Sequence, residues 1–246
     1  MRTDSVAIKN EVLAQEIEQL LQSMGSGPVS ATAYDTAWVA RLAAHYPQSG
    51  FDASLEWLRR SQSIDGTWGA PLVQYHDRYV STLAAIVALQ EAGRDVRDQR
   101  RVKRGADALW RLIGKLGQDD ADTVGFPVVS TALTQDAIAL GLDVPRPPIR
   151  FAVPYQRKVN ALLAQPKRDW RASPLIFSLE ALRAGLGAGD QVLEANHSVA
   201  ASPSATAGFL LVRPDDRALS YLTAVSSNGS HGGAPALSPI DVFDIA

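Results

Sequence analysis

Cysteine is absent from the 246-residue chain. That removes disulfides, thiolate zinc sites, iron–sulfur clusters and cysteine nucleophiles together, and it fits a reducing compartment. Histidine is nearly as scarce: His45, His76, His197 and His231 stand singly, without a His-Glu-x-x-His motif or a pair at i, i+4. A zinc-hydrolase centre therefore has no ligand set. Long apolar runs are missing, and residues 1–21 carry a charge every few positions, so they hold neither a signal h-region nor a membrane span. No charge of one sign dominates. The 24 Lys and Arg against 26 Asp and Glu leave a formal charge of −2, without the footprint of a nucleic-acid or anionic-membrane binder. The expectation is a soluble cytoplasmic protein, or part of one.

What is present is ordinary globular composition, 46% hydrophobic and 20% charged, in a chain long for one domain and short for two. Apolar residues recur at three- and four-residue intervals, the helical period. The spacing predicts helices over 7–24, 33–45, 51–62, 77–92, 99–116, 127–141, 153–164, 173–186, 203–212, 215–227 and 239–246. Sustained strand alternation is lacking, so the fold class is all-α, with antiparallel helix pairs joined by short Gly- and Pro-rich turns. The ending PIDVFDIA stops in an apolar pattern with no cap and no glycine exit, which reads as a cut.

Two stretches imitate functional motifs. AGLGAGD (184–190) approaches a dinucleotide loop, but Asp190 occupies the third glycine position and a helix pattern precedes it where a strand is required. It is better read as a helix end running into a turn. The basic stretch from Arg94 to Arg104 has no interleaved aromatic to stack on bases and reads as a solvated helix face. The segment QSIDGTWG (62–69) is more specific. Its glutamine amide can bond exposed backbone groups at a helix end while the indole packs across the junction. Trp38, Trp57 and Trp68 are expected in the core or at junctions, and Tyr34 and Asp35 in buried hydrogen bonds.

With that segment, an ordered set emerges: SATAYDTAWVA (30–40), LEWL (55–58), QSIDGTWG (62–69), HDRYVSTLAAIVAL (76–89), VGFP (124–127), SLE (178–180), SPSATA (202–207), GGAP (232–235) and PIDVF (239–243). From about residue 30 onward the chain resembles the class II diterpene cyclases. The resemblance implies two α-helical barrel domains, β and γ, with γ inserted after the first β helix. Residues 1–45 would be the first helix and join of the β domain, and 46–246 the γ domain, an α/α-barrel. It also implies protonation of the terminal alkene of geranylgeranyl diphosphate by the middle Asp of a D-x-D-D motif. The cation then cyclises in a dry cavity with the diphosphate left intact. No D-x-D-D occurs in this sequence, so the chain by itself is expected to be inactive.

Further roles follow from the resemblance alone. Asp119, Asp120 and Asp122, in QDDAD before VGF, align with an acidic motif linked to Mg²⁺ and diphosphate; carboxylates are hard oxygen ligands suited to that ion. Spacing alone favours an acidic loop or helix N-terminal turn, and the aligned position reverses that preference. Lys158 aligns with a diphosphate-contacting lysine, a role Arg157 or Lys167 could also fill. Plant copalyl-type members hold a terminal-base water with a His and an Asn, and here those positions are Phe177 and Ala236. Neither can hold a water or accept a proton. That points to a rearranged halimane- or clerodane-type product, with a plain labdane such as copalyl diphosphate, or a base elsewhere, as the alternative.

The expected partners are geranylgeranyl diphosphate and the missing β domain, with a homodimer left open, and no nucleic acid or membrane span. Competing readings are a non-catalytic helical binding or scaffold module that retains the γ fold, and a triterpene-cyclase-like domain sharing the Q-x-x-x-G-x-W motif.

Overall fold

The computed structural model describes residues 15, 30–118, 125–150, 153, 156–157, 160, 174–182, 192–227 and 231–236. The chain divides into two compact units, Met1–Ser30 and Ala31–Ala246. The following concerns the second. The helices are α1 (Ala33–Arg41), α2 (Asp52–Ser61), α3 (Tyr75–Ala92), α4 (Val96–Leu112), α5 (Phe126–Ala139), α6 (Pro203–Val212) and α7 (Asp216–Ser227), with a 3₁₀ segment over Pro174–Ala181. Among the described residues the only β pairing is two isolated bridges, Ala31 with Pro235 and Leu193 with Val199. The all-helical expectation holds. The predicted helices over 7–24, 153–164 and 239–246 lie wholly or mostly outside the described residues.

α1 and α3 form the centre, and each is buried on nearly every face. In α3 every residue from Ser81 to Leu89 is buried, which follows from a helix apolar all round, VSTLAAIVAL, rather than on one stripe. α1 packs on α3, α2 and α6; α3 packs on α4 and α5. α4 shows the opposite pattern. Val102, Gly105, Ala106, Leu109 and Leu112 line its buried side, while Arg97, Arg100, Lys103 and Arg104 face outward. The basic stretch is thus a solvated helix face. It starts at Asp95, whose carboxylate accepts from the Arg97 N–H in a capping box with Asp98.

QSIDGTWG joins α2 to α3 and α4. Gln62 Nε2 donates to the carbonyls of Gly66 and Arg101, both at 3.0 Å. The Trp68 indole N–H donates to the Leu58 carbonyl at 2.8 Å, and its backbone N–H to Thr82 Oγ1 at 3.0 Å. Trp68 is fully buried. α4 approaches so closely that a Cβ at Gly105 would meet Ile86 Cγ2 and the Trp68 ring. The glutamine and the indole therefore tie the end of α2 to the bodies of α3 and α4, as the motif's chemistry predicts.

One predicted helix differs. Over 173–186 the described part is a 3₁₀ segment with a non-helical residue at Ser178 (φ −124°, ψ 29°). Apart from Ser178 and Glu180 the run PLIFSLEA is apolar, and hydrophobic period does not separate a kinked 3₁₀ turn from an α-helix in so short a run.

Candidate functional site

A group of buried polar side chains converges on the first turn of α1. Thr32 is its N-cap: Oγ1 accepts from the Asp35 N–H at 3.1 Å and donates to Asp35 Oδ2 at 2.7 Å. The Thr32 hydroxyl thereby satisfies one of the orphan donors of the helix start. The other oxygen of Asp35 accepts from the Ser204 N–H at 3.2 Å, in the first turn of α6. That helix is itself capped by Ser202, which accepts from the Ala205 N–H at 3.2 Å. The Asp35 carboxylate thus lies at the N-termini of two helices, whose exposed N–H groups favour an anion. Burial pushes its pKa up, and the hydrogen bonds from Thr32 and Ser204 oppose that rise.

Beside it, the Tyr34 hydroxyl donates to Glu180 Oε1 at 2.6 Å. Glu180 belongs to the 3₁₀ segment and is 2% exposed. Among the described residues no hydrogen-bond donor reaches Oε2. Burial, with a smaller contribution from the Asp35 charge, pushes the Glu180 carboxyl up to about 8, so it is mostly protonated at neutral pH. Burial and the Glu180 carboxylate push the Tyr34 phenol well above its ordinary value. α6 approaches the segment closely, because a Cβ on Gly208 would overlap Glu180 Cα and Cβ.

The same turn of α1 holds the GGAP strip. The Thr32 N–H donates to the Ala234 carbonyl at 2.9 Å, and the Ala234 N–H donates to Thr36 Oγ1 at 2.9 Å. Gly232 adopts φ +93°, and a side chain there would run into the Ala53 carbonyl; one at Gly233 would run into Ala31 and Trp57.

Phe177 and Ala236, which the resemblance is expected to place at the terminal-base positions, both sit on segments tied to α1. Phe177, half-buried against the core, is three residues before Glu180; Ala236, exposed, is two residues after Ala234. Asp119, Asp120, Asp122 and Lys158 lie outside the described residues, as does Lys167; Arg157 is exposed. Among the described residues no three His, Asp or Glu side chains come together to hold a metal ion. His76 is structural: Nε2 is 3.0 Å from the Leu116 carbonyl and the ring stacks on Phe126 with centroids 4.1 Å apart. Glu180, Ser202, Ser204 and Thr36 were not singled out from the sequence. Glu180 is the one charge in the apolar run PLIFSLEA, a signal that could have found it.

A scan against protein-family models finds no match. Comparison with curated proteins does. A chloroplastic copalyl diphosphate synthase of Salvia miltiorrhiza is 34% identical over 249 residues, covering 96% of this chain and 31% of the relative. A (−)-kolavenyl diphosphate synthase of Tripterygium wilfordii is 31% identical over 97% of this chain and 30% of its own length. Among solved structures, ent-copalyl diphosphate synthase from Arabidopsis thaliana, in complex with (S)-15-aza-14,15-dihydrogeranylgeranyl thiolodiphosphate, superposes with a TM-score of 0.77. It is 28% identical over 94% of this chain and 34% of that one. Over that stretch, the chain is a homologue of the class II diterpene cyclases. It spans about 30% of the length of the curated relatives it matches. No described helix is long and apolar enough to cross a membrane.

Proposed function

We propose that the chain is the γ-domain portion of a class II diterpene cyclase, with the first β helix and join in residues 1–45 and the γ α/α-barrel in 46–246. Together with a β domain bearing D-x-D-D, it forms the cavity in which geranylgeranyl diphosphate is protonated and cyclised to a bicyclic diterpenyl diphosphate. The observation that carries this reading is the backbone match over 94% of the chain to an ent-copalyl diphosphate synthase bound to a geranylgeranyl analogue. The chain supplies no D-x-D-D, so the general acid must come from the β domain. Its own contribution is one wall of a water-excluding cavity, in which a cation survives long enough to cyclise.

Asp119, Asp120 and Asp122 provide three hard carboxylates within four residues, a donor set that suits Mg²⁺, and Lys158 a point charge for the diphosphate. Mg²⁺ would neutralise phosphate charge there. Phe177 and Ala236 stand where copalyl-type members hold a basic water. The absence of N or O acceptors at both side chains favours a rearranged halimane or clerodane skeleton, because a cation not quenched at once continues by hydride and methyl shifts. An aromatic face at Phe177 can stabilise the migrated charge. A cytoplasmic location is part of the same proposal.

The test is to incubate the chain, together with a β domain bearing D-x-D-D, with geranylgeranyl diphosphate and Mg²⁺. Products are identified by mass spectrometry after dephosphorylation. A bicyclic diterpene alcohol supports the reading. Recovery of geranylgeraniol alone, from a folded protein, contradicts it and favours the scaffold-module alternative.

A further inference from the structure

We infer that the Tyr34–Glu180 pair is a protonation-dependent latch, holding the 3₁₀ segment Pro174–Ala181 onto α1 while Glu180 is neutral and releasing it when Glu180 ionises. This rests on the geometry of the described residues and not on the proposed function. Glu180 is 2% exposed; among the described residues it receives one side-chain donor, the Tyr34 hydroxyl at 2.6 Å, and Oε2 has no partner. A carboxylate buried with one donor is poorly compensated, whereas the neutral acid is tolerated.

Among the described residues the surroundings supply no cation. The ionisable groups α1 turns toward Glu180 are Tyr34 and Asp35, one neutral and one acidic. α6 carries no ionisable side chain. The acid of α5, Asp136, is 3.2 Å from Arg41, which is also bidentate to Glu91. The Glu180 segment itself, PLIFSLEA, has no other charge. Ionisation therefore places a second negative charge near Asp35 with nothing to balance it. The low-cost response is for the segment to move out toward water, since α6 closes its other side at Gly208. Phe177 would move with it.

The sign follows from linkage. A carboxyl whose folded value lies above its unfolded one, about 8 against 4.5 here, contributes fully below the unfolded value. That contribution is lost progressively as pH rises through the folded value.

The experiment is hydrogen exchange of the backbone amides of 176–182 in the 246-residue chain at pH 6 and pH 9, corrected for intrinsic rates. Wild type and Glu180→Gln are compared. At pH 9 ionised Glu180 outnumbers the neutral form about tenfold. Wild type is expected to lose protection in this segment by at least about tenfold relative to α3, and Glu180→Gln to show no such pH dependence. Equal pH dependence in the two proteins overturns the latch. Should Glu180→Gln fail to fold, a ¹³C carboxyl titration of wild-type Glu180 decides the matter. A midpoint near 8 supports the latch, and one between 4 and 5 overturns it.

Discussion

Tyr34 and Glu180 lie 146 residues apart in sequence, yet the phenol donates to the buried carboxyl at 2.6 Å. Together with Asp35, bonded to the first turn of α6, they join the start of α1 to two elements from the far end of the chain. Tyr34→Phe keeps the ring and deletes the one side-chain donor to Glu180 among the described residues, so it is expected to destabilise the fold by about 1–3 kcal/mol at pH 6. Urea unfolding measures this directly, and a change below the error of the fit would remove the pair from the account.

Gln62 gives a sharper contrast. Its amide serves two carbonyls, those of Gly66 and Arg101. Gln62→Ala is expected to cost about 1–2 kcal/mol through their loss. Gln62→Glu is expected to cost more, because a carboxylate would face two acceptors. Denaturation midpoints at pH 7 should rank wild type above Ala and Ala above Glu.

The α3–α4 contact leaves no room for a methyl group. Gly105→Ala would press a Cβ into Ile86 and the Trp68 ring, costing about 1–3 kcal/mol although alanine is the better helix former. A stabilised Gly105→Ala, seen as a raised thermal midpoint, would mean that these helices stand farther apart than described.

Arg41 is buried between Glu91 and Asp136, with its guanidinium over the Trp38 ring at 4.4 Å. Arg41→Ala leaves the buried Asp136 without this partner and is expected to destabilise by about 3–5 kcal/mol, more than most single changes. Arg41→Met should recover part of the loss by restoring packing without charge. Equal losses in the two variants would show that packing contributes nothing and would assign the whole effect to the lost ion pairs.

How much of this was legible in the sequence depends on the physical signal. α1 to α5, α6 and α7 were readable because apolar spacing and Gly or Pro breaks mark their ends. The role of Gln62 and Trp68 was readable because an amide and an indole beside a glycine turn have few other uses. The 3₁₀ kink at Ser178 was not, since PLIFSLEA is apolar apart from Ser178 and Glu180 and gives no period to distinguish the two helices. Glu180 was seen only as part of a motif. Its partner is supplied by a tyrosine 146 positions away, and local pattern does not report contacts at that range. Asp119, Asp120, Asp122 and Lys158 rest on resemblance, since they lie outside the described residues.

The two alanines at 200 and 201 adopt φ +51° and +53°, in the turn leading to α6. Left-handed backbone disfavours a residue with a Cβ by about 1 kcal/mol. Ala201→Gly is therefore expected to be neutral to stabilising, within about 1 kcal/mol, in the same urea assay. A clear loss would show that the alanine methyl contributes packing that outweighs the strain.

The most direct test of the central claim is to assay the 246-residue chain with geranylgeranyl diphosphate and Mg²⁺, alone and together with a D-x-D-D-bearing β domain of a class II diterpene cyclase. Products are read by mass spectrometry after dephosphorylation. The account predicts no cyclised product from the chain alone and a bicyclic diterpenyl diphosphate from the combination. A bicyclic product from the chain alone would contradict it, because it would place the proton donor within these residues.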